Sequence, residues 1–146
     1  MSFEDQLDRL GLTIPNPAKP AGSYKPCLID DNIAYISGQG PLLEDGTFAK
    51  GIIGKDIDIE TGQKHAQRCG LAILSALKNE VGDLNKVEQL IKITGFVNCT
   101  SDFTQQPLVI NGCSDLMKEV FGEKGVHARA AAVSYTHLRA HETSQH

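Results

Sequence analysis

A long segment with helical periodicity constrains this fold more than any other feature of the sequence. In IDIETGQKHAQRCGLAILSALKNEVG, residues 57–82, apolar or small residues recur every three or four positions. Asp58 is suited to cap the first turn, and Gly82 is suited to end the last. The pattern predicts an amphipathic helix that must be covered on one side; its apolar stripe consists of Ala66, Cys69, Gly70, Ile73, Leu77 and Val81.

The segments around this helix predict strands and further helices. SFEDQLDRLGL, residues 2–12, predicts a short N-terminal helix, and CLI with IAYIS predicts a β-hairpin that turns at Asp30-Asp31-Asn32. Residues 86–99 and 126–133 are typical of strands, and residues 105–122 predict a second long helix with Pro107 in its first turn. Two long helices that follow a run of strands predict an α+β fold, in which both helices pack on one face of a sheet.

Length and composition exclude several classes of protein. A chain of 146 residues is typical of one domain, and its net charge of -4 without a run of Lys or Arg argues against nucleic-acid binding. No window approaches the ~18 apolar residues of a membrane helix, and the N-terminus lacks a secretory apolar region. The cysteines form no C-x-x-C pair and are expected to be reduced thiols of a cytoplasmic protein: Cys27, Cys69, Cys99 and Cys113.

Candidate ligand-binding residues stand out by their context. Arg129 is a lone arginine among alanines, and its planar fork suits a carboxylate, although an edge or surface arginine is the alternative. His127 lies on the same strand face and either lines the same pocket or is a surface histidine. Ser37 and Gly38 end a predicted strand, where a glycine allows the backbone to approach a ligand, but an ordinary turn has the same composition.

Two further positions have both a structural and a functional interpretation. Tyr24 follows a proline-rich connector and either caps a cleft or fills a hydrophobic gap. Asn111 and Gly112 lie inside the second long helix, where together they weaken helix formation by about 1 kcal/mol or more relative to alanine. Either close packing at Gly112 or a polar role for Asn111 would compensate. Motifs for a phosphate loop, a dinucleotide site, a zinc site or a serine nucleophile are absent from the sequence.

Two segments of the chain resemble the Rid family, also called the YjgF-type or endoribonuclease L-PSP family. They are SYKPCLIDDNIAYISGQGPL and IKITGFVNCTSDFTQQPLVINGCSDLMKEVFGEKGVHARAAA, and the likeness extends over roughly residues 3 to 131. It is closer to the YjgF/chorismate-mutase-like subgroup. The resemblance implies a chorismate-mutase-like subunit that forms homotrimers with clefts between subunits. It also implies hydrolysis of reactive enamines or imines to keto acids and ammonia, without a cofactor or metal.

The resemblance assigns roles to particular residues. Arg129 matches the catalytic arginine that binds the substrate carboxylate, Tyr24 matches a cleft tyrosine, and Ser37 and Gly38 match the strand end that lines the pocket. Ser101 stands where classic deaminases carry an asparagine, and Asn111 is a further substrate-binding candidate. No residue matches the glutamate that positions the attacking water, since the context of Glu142 differs.

Three functions therefore remain open at the level of sequence. The first is an imine or enamine deaminase that acts on a small carboxylate substrate. The second is a trimeric carboxylate-binding protein of the same fold without catalysis. The third, an endoribonuclease, is disfavoured by the net negative charge of the chain and by the lack of a stripe of basic residues.

The C-terminal stretch VSYTHLRAHETSQH does not continue the family pattern. It resembles the in-frame translation of a transposase-type sequencing adapter, so residues 1–132 are interpreted as the domain and residues 133–146 as non-native. The final strand of the sheet is then missing or replaced, and we expect this chain to be destabilised or prone to aggregate. His137 and His141 have the i, i+4 spacing of two metal ligands, but without a third ligand they indicate a weak site.

The adapter interpretation makes a prediction about the gene. Adapter bases should begin near codon 132 or 133, because the family pattern stops there. Amplification of the locus from genomic DNA and sequencing past codon 146 checks this. Genomic reads that encode the same VSYTHLRAHETSQH in independent samples would refute the interpretation.

Overall fold

Three α-helices and four β-strands make up the part of the chain that the computed structural model describes, residues 2–20 and 22–133. The predicted α+β class is confirmed. Short 3₁₀ turns at Leu84–Lys86 and Gly122–Gly125 follow the two long helices. In chain order the elements are α1 (Phe3–Leu10), β1 (Cys27–Asp30), β2 (Ile33–Ile36), α2 (Ile59–Val81), β3 (Lys92–Val97), α3 (Gln106–Phe121) and β4 (Ala128–Val133).

Local signals set most of these boundaries as the sequence predicts. The Asp58 side chain accepts a hydrogen bond from the Thr61 backbone N–H at 2.8 Å and so caps α2, and Gly82 ends that helix. Gly11 ends α1 in the left-handed conformation. In the hairpin, Asp31 and Asn32 have φ angles of 51° and 62°, the paired positive values that a two-residue hairpin turn requires.

The strands form two separate two-stranded sheets. β1 pairs antiparallel with β2, and β3 pairs parallel with β4. The predicted strand at residues 86–99 is too long, because only Lys92–Val97 joins the ladder. Before it, the Gln89 amide donates to the carbonyls of Lys124 and Val126, which ties this segment to the connector that leads into β4.

The two long helices pack against each other and cover one face of each sheet, α2 over the hairpin and α3 over β3 and β4. The apolar stripe predicted for α2 is correct but too narrow: Leu71 and Leu74 are also fully buried, since α2 contacts α3 and the hairpin at once. Arg68 of α2 donates from Nε to the Leu42 carbonyl at 2.7 Å and so ties the helix to the segment after β2. The apolar stripe of α3 is buried: Val109, Cys113, Leu116 and Val120.

The contact between α2 and α3 depends on Gly112. A Cβ atom on Gly112 would lie 1.9 Å from the Gln63 carbonyl oxygen, a distance that no side chain can occupy. The Gln63 side chain completes the contact by donating to the Leu108 carbonyl at 2.8 Å. The packing role proposed for Gly112 is therefore confirmed.

Residues 134–146 lie outside the described residues, as do Met1 and Ala21. The interpretation of the C-terminal stretch as a non-native replacement of a strand therefore stays a prediction. The same holds for the weak metal site at His137 and His141 and for the position of Glu142.

We expect Gly112→Ala to destabilise the protein. Alanine gains about 1 kcal/mol in helix propensity over glycine. Overpacking costs typically 1–3 kcal/mol, and a clash with backbone lies at the upper end, about 3 kcal/mol. After the gain in propensity, a net loss of about 2 kcal/mol in the free energy of unfolding should result. Urea denaturation at a fixed protein concentration measures it. The control is Asp115→Ala, an exposed site on α3 that should shift stability by less than about 0.5 kcal/mol. Equal midpoints for the two variants would contradict the prediction.

Candidate active site

A stripe of polar groups runs along the contact between α3 and β4. On α3, Pro107, Asn111 and Ser114 are spaced i, i+4 and i+7 and so share one side of the helix. Opposite them lie Arg129, near the start of β4, and His127, the residue just before that strand; two positions apart in extended chain, they point to the same side. We call Asn111, Ser114, His127 and Arg129 the arginine cluster.

The Arg129 guanidinium is held by three neutral acceptors on α3. Its Nη1 donates to the Asn111 side-chain oxygen at 2.7 Å and to the Ser114 hydroxyl oxygen at 3.2 Å. Its Nη2 donates to the Pro107 carbonyl at 3.3 Å. The polar role that the sequence left open for Asn111 is therefore observed, in addition to the packing role of Gly112.

This arrangement leaves the charge and one edge of the guanidinium available. In residues 2–20 and 22–133, no carboxylate forms an ion pair with Arg129, and its Nε–H has no hydrogen-bond partner. In those ranges, the only fully buried side-chain nitrogen or oxygen without a hydrogen-bond partner belongs to Arg68. The Arg129 Nε, which also has no partner there, is therefore accessible to solvent. The Nε and Nη2 hydrogens together form the fork that a carboxylate binds bidentately.

His127 extends the cluster away from the arginine. Its Nε2 lies 2.9 Å from the Ser114 hydroxyl, and its Nδ1 lies 2.6 Å from the Gly125 carbonyl oxygen. The alternative of an ordinary surface histidine is wrong, because the ring is half-buried and bonded at both nitrogens. Sequence reasoning did not find Ser114, although a buried serine on an apolar helix stripe is a signal of a bonded polar group.

A second candidate region lies at the hairpin. A cleft of about 500 Å³ is lined by Tyr24, Lys25, Leu28, Tyr35, Ile36 and Ser37, and we call it the tyrosine cleft. Tyr24 is half-exposed and is one of the residues that line this cleft, while its role as the cleft tyrosine of the family stays a prediction. The walls are mainly aromatic and aliphatic, which suits the apolar part of a small ligand.

Ser37 and Gly38 adjoin the tyrosine cleft in different ways. The Ser37 hydroxyl donates to the Lys25 carbonyl at 2.6 Å, which leaves its oxygen lone pairs free to accept. A Cβ atom on Gly38 would meet nothing within 4 Å, so packing within the described chain does not require a glycine there.

The structure thus divides the predicted site residues into groups. Arg129 and Asn111 meet in the arginine cluster, while Tyr24 and Ser37 meet in the tyrosine cleft. No residue of the arginine cluster lines that cleft. Ser101 is exposed in the turn between β3 and α3 and, among the described residues, has no hydrogen-bond partner.

The buried cysteines are poor nucleophiles. Burial raises the pKa of Cys69 to about 11. Burial, and then the neighbouring Cys69, raise the pKa of Cys113 to about 12, against the lowering effect of Arg129. Both side chains therefore remain protonated at neutral pH, and covalent catalysis by a thiolate is not expected from them. Within residues 2–20 and 22–133, no cluster of three or more His, Cys, Asp or Glu side chains has the arrangement of a metal site.

Comparison with known proteins decides the family. Residues 4–137 match the model of the family described as "YjgF/chorismate_mutase-like, putative endoribonuclease". The chain belongs to the YjgF/chorismate-mutase-like family. This YjgF-type chain is also 38% identical over 126 residues to Protein TCP17 of Trypanosoma cruzi, covering 86% of this chain and 79% of that protein.

Solved structures of similar proteins share the fold of this YjgF-type chain. The Agrobacterium tumefaciens protein Atu1372, described as of unknown function, is 41% identical, with a TM-score of 0.83 over 91% of this chain and 83% of its own. A protein of Shewanella oneidensis, described as a "putative endoribonuclease", is 30% identical, with a TM-score of 0.88 over 92% of this chain and 89% of its own.

None of the described helices combines the length and the apolar character needed to cross a membrane.

Proposed function

We propose that this protein hydrolyses reactive 2-imino acids, or the enamines in equilibrium with them, to 2-keto acids and ammonia. The observation that carries the proposal is the state of Arg129. Its guanidinium is fixed by the neutral acceptors of Asn111, Ser114 and Pro107, while its positive charge has no acidic partner among the described residues. Since a fixed, unneutralised guanidinium is a ready receptor for a carboxylate, the substrate is expected to carry one.

The reaction needs orientation more than specialised chemistry. With the carboxylate on Arg129, the adjacent C=N carbon is held in one place for attack by water. The water oxygen bonds to this carbon, its protons pass to nitrogen, the C–N bond breaks, and ammonia leaves as the C=O bond of the keto acid forms. No cofactor is required for this sequence.

A homotrimer would bring the two candidate regions together. The arginine cluster lies at β4 and the tyrosine cleft at the hairpin, on separate sheets of one chain. Each of the two sheets exposes a large aromatic side chain: Tyr35 of β2 is 56% exposed and Phe96 of β3 is 67% exposed. Since exposed aromatic side chains are typical of a protein–protein interface, they support trimers with the substrate held between the arginine cluster of one subunit and the tyrosine cleft of the next.

The four free cysteines agree with the proposed cytoplasmic location.

A second function is favoured by a different observation. In the described ranges, no Asp or Glu side chain is hydrogen-bonded to the arginine cluster, so no carboxylate is placed there to activate water. A protein that binds small carboxylates without converting them fits that arrangement. The ribonuclease activity suggested by the description of the Shewanella oneidensis relative fits less well with a net charge of -4.

We expect the whole chain to accelerate imino-acid decay and Arg129→Ala to lower kcat/KM about 10- to 100-fold, since a hydrogen bond to a charged group contributes about 1.5–3 kcal/mol. An L-amino-acid oxidase generates the imino acid in the assay, and trapping with semicarbazide follows its decay. Arg129→Lys should lie between the two, because a lysine keeps the charge but loses the fork.

The matched control is Arg9→Ala, which removes an exposed arginine of α1 and should leave the rate unchanged. Decay no faster than in buffer, combined with carboxylate binding that Arg129→Ala abolishes, would replace the deaminase by the binding protein. Equal activity of wild type and Arg129→Ala would refute both. Cleavage of RNA that is retained in Arg129→Ala would favour the ribonuclease.

A further inference from the structure

We infer that Ser114 and His127 are positioning residues that set the orientation of Arg129 and so determine which edge of its guanidinium meets the substrate. The inference rests on the proposed function only for the identity of the ligand, a carboxylate. Its physical basis is a continuous run of hydrogen bonds from the Gly125 carbonyl through His127 and Ser114 to Arg129.

The direction of every bond in this run follows from its two ends. A carbonyl oxygen can only accept, so the 2.6 Å contact with Gly125 requires the hydrogen of His127 to be on Nδ1. In the neutral ring Nε2 is then bare and accepts from the Ser114 hydroxyl at 2.9 Å. Because the Ser114 proton is committed to His127, the lone pairs of its oxygen point to Arg129, which can only donate.

The consequence for Arg129 is a division of its donors. Asn111 and Ser114 together take both hydrogens of Nη1. The Pro107 carbonyl takes one hydrogen of Nη2. One Nη2 hydrogen and the Nε hydrogen remain for a ligand, and a carboxylate that bridges Nε and Nη2 is bound through two parallel bonds. Without His127, the Ser114 hydroxyl is free to rotate and can turn its hydrogen toward the guanidinium.

The surroundings of Ser114 suggest that its hydroxyl has a role beyond packing. The residue is 8% exposed and lies on the buried side of α3, beside Cys113 and Met117. Alanine would suit a helix interior better than serine, and it would bury no polar group. A purely structural serine should therefore be replaceable by alanine with little effect on ligand binding, whereas a positioning serine should not.

The first test separates KM from kcat in the imino-acid assay. Ser114→Ala and His127→Leu should each raise KM about five- to tenfold and change kcat less than about threefold, since they loosen a binding group and not the reacting atoms. His127→Gln, whose amide oxygen can accept from Ser114, should bring KM most of the way back to the wild-type value. In an Arg129→Ala background, Ser114→Ala should have no further effect. His65→Leu removes a half-buried histidine of α2 and is the matched control.

The second test does not depend on activity and so separates this inference from the proposed function. When the His127 ring is neutral, nitrogen-15 NMR should show its proton on Nδ1 and none on Nε2. The Ser114→Ala substitution should alter the Arg129 Nε signal. Protonation of His127 on Nε2, or an Arg129 Nε signal unchanged in Ser114→Ala, overturns the inference even if the enzyme is active. A wild type that neither binds carboxylates nor hydrolyses imines, with both NMR results as expected, overturns the proposed function and leaves the positioning network supported.

Discussion

The close approach of α2 and α3 at Gly112 is the contact on which the site depends. On one side of α3, the Gly112 backbone lies against the Gln63 carbonyl, where a Cβ atom would be only 1.9 Å from oxygen. On another side, Gly95 of β3 makes room for Ile110, since a Cβ atom there would lie 2.4 Å from the isoleucine Cδ1. The backbone contact at Gly112 and the packing of Ile110 over Gly95 together set the position of α3 and its rotation about its axis. Asn111 is thereby directed toward β4, and the arginine cluster forms.

The chemical character of the cluster follows from the partners that the fold gives to Arg129. Buried or half-buried arginines are usually paired with carboxylates, which neutralise them. Here the partners within the described chain are an amide oxygen, a hydroxyl oxygen and a carbonyl oxygen. These groups satisfy hydrogen bonds without cancelling charge. Among the described residues the guanidinium is therefore oriented by hydrogen bonds without being neutralised, which is the state that a receptor for a small anion requires.

Local chemistry explains which parts of the fold the sequence could predict. The Asp58 cap, the Gly82 end of α2 and the Asp31-Asn32 turn depend on neighbouring residues alone, and the structure has them as predicted. The strand predicted around β3 was too long at its N-terminal end. There Gln89 bonds to carbonyls more than thirty positions further along the chain, a contact that no local pattern reveals.

The candidate site was predictable to a similar degree. Arg129 and Asn111 were recognisable because each is unusual in its own element, whereas the role of Ser114 exists only once β4 lies beside α3. The separation of the tyrosine cleft from the arginine cluster also depends on the placement of two sheets.

The central claim is that the Nε and Nη2 edge of Arg129 is a carboxylate receptor. A crystal structure of the whole protein with a 2-keto acid, the product of the proposed reaction, tests this most directly. Both carboxylate oxygens should lie within hydrogen-bond distance of Nε and Nη2, with the bonds from Nη1 to Asn111 and Ser114 unchanged. A keto acid bound elsewhere, or an Arg129 that leaves Asn111 to reach the ligand, would contradict it.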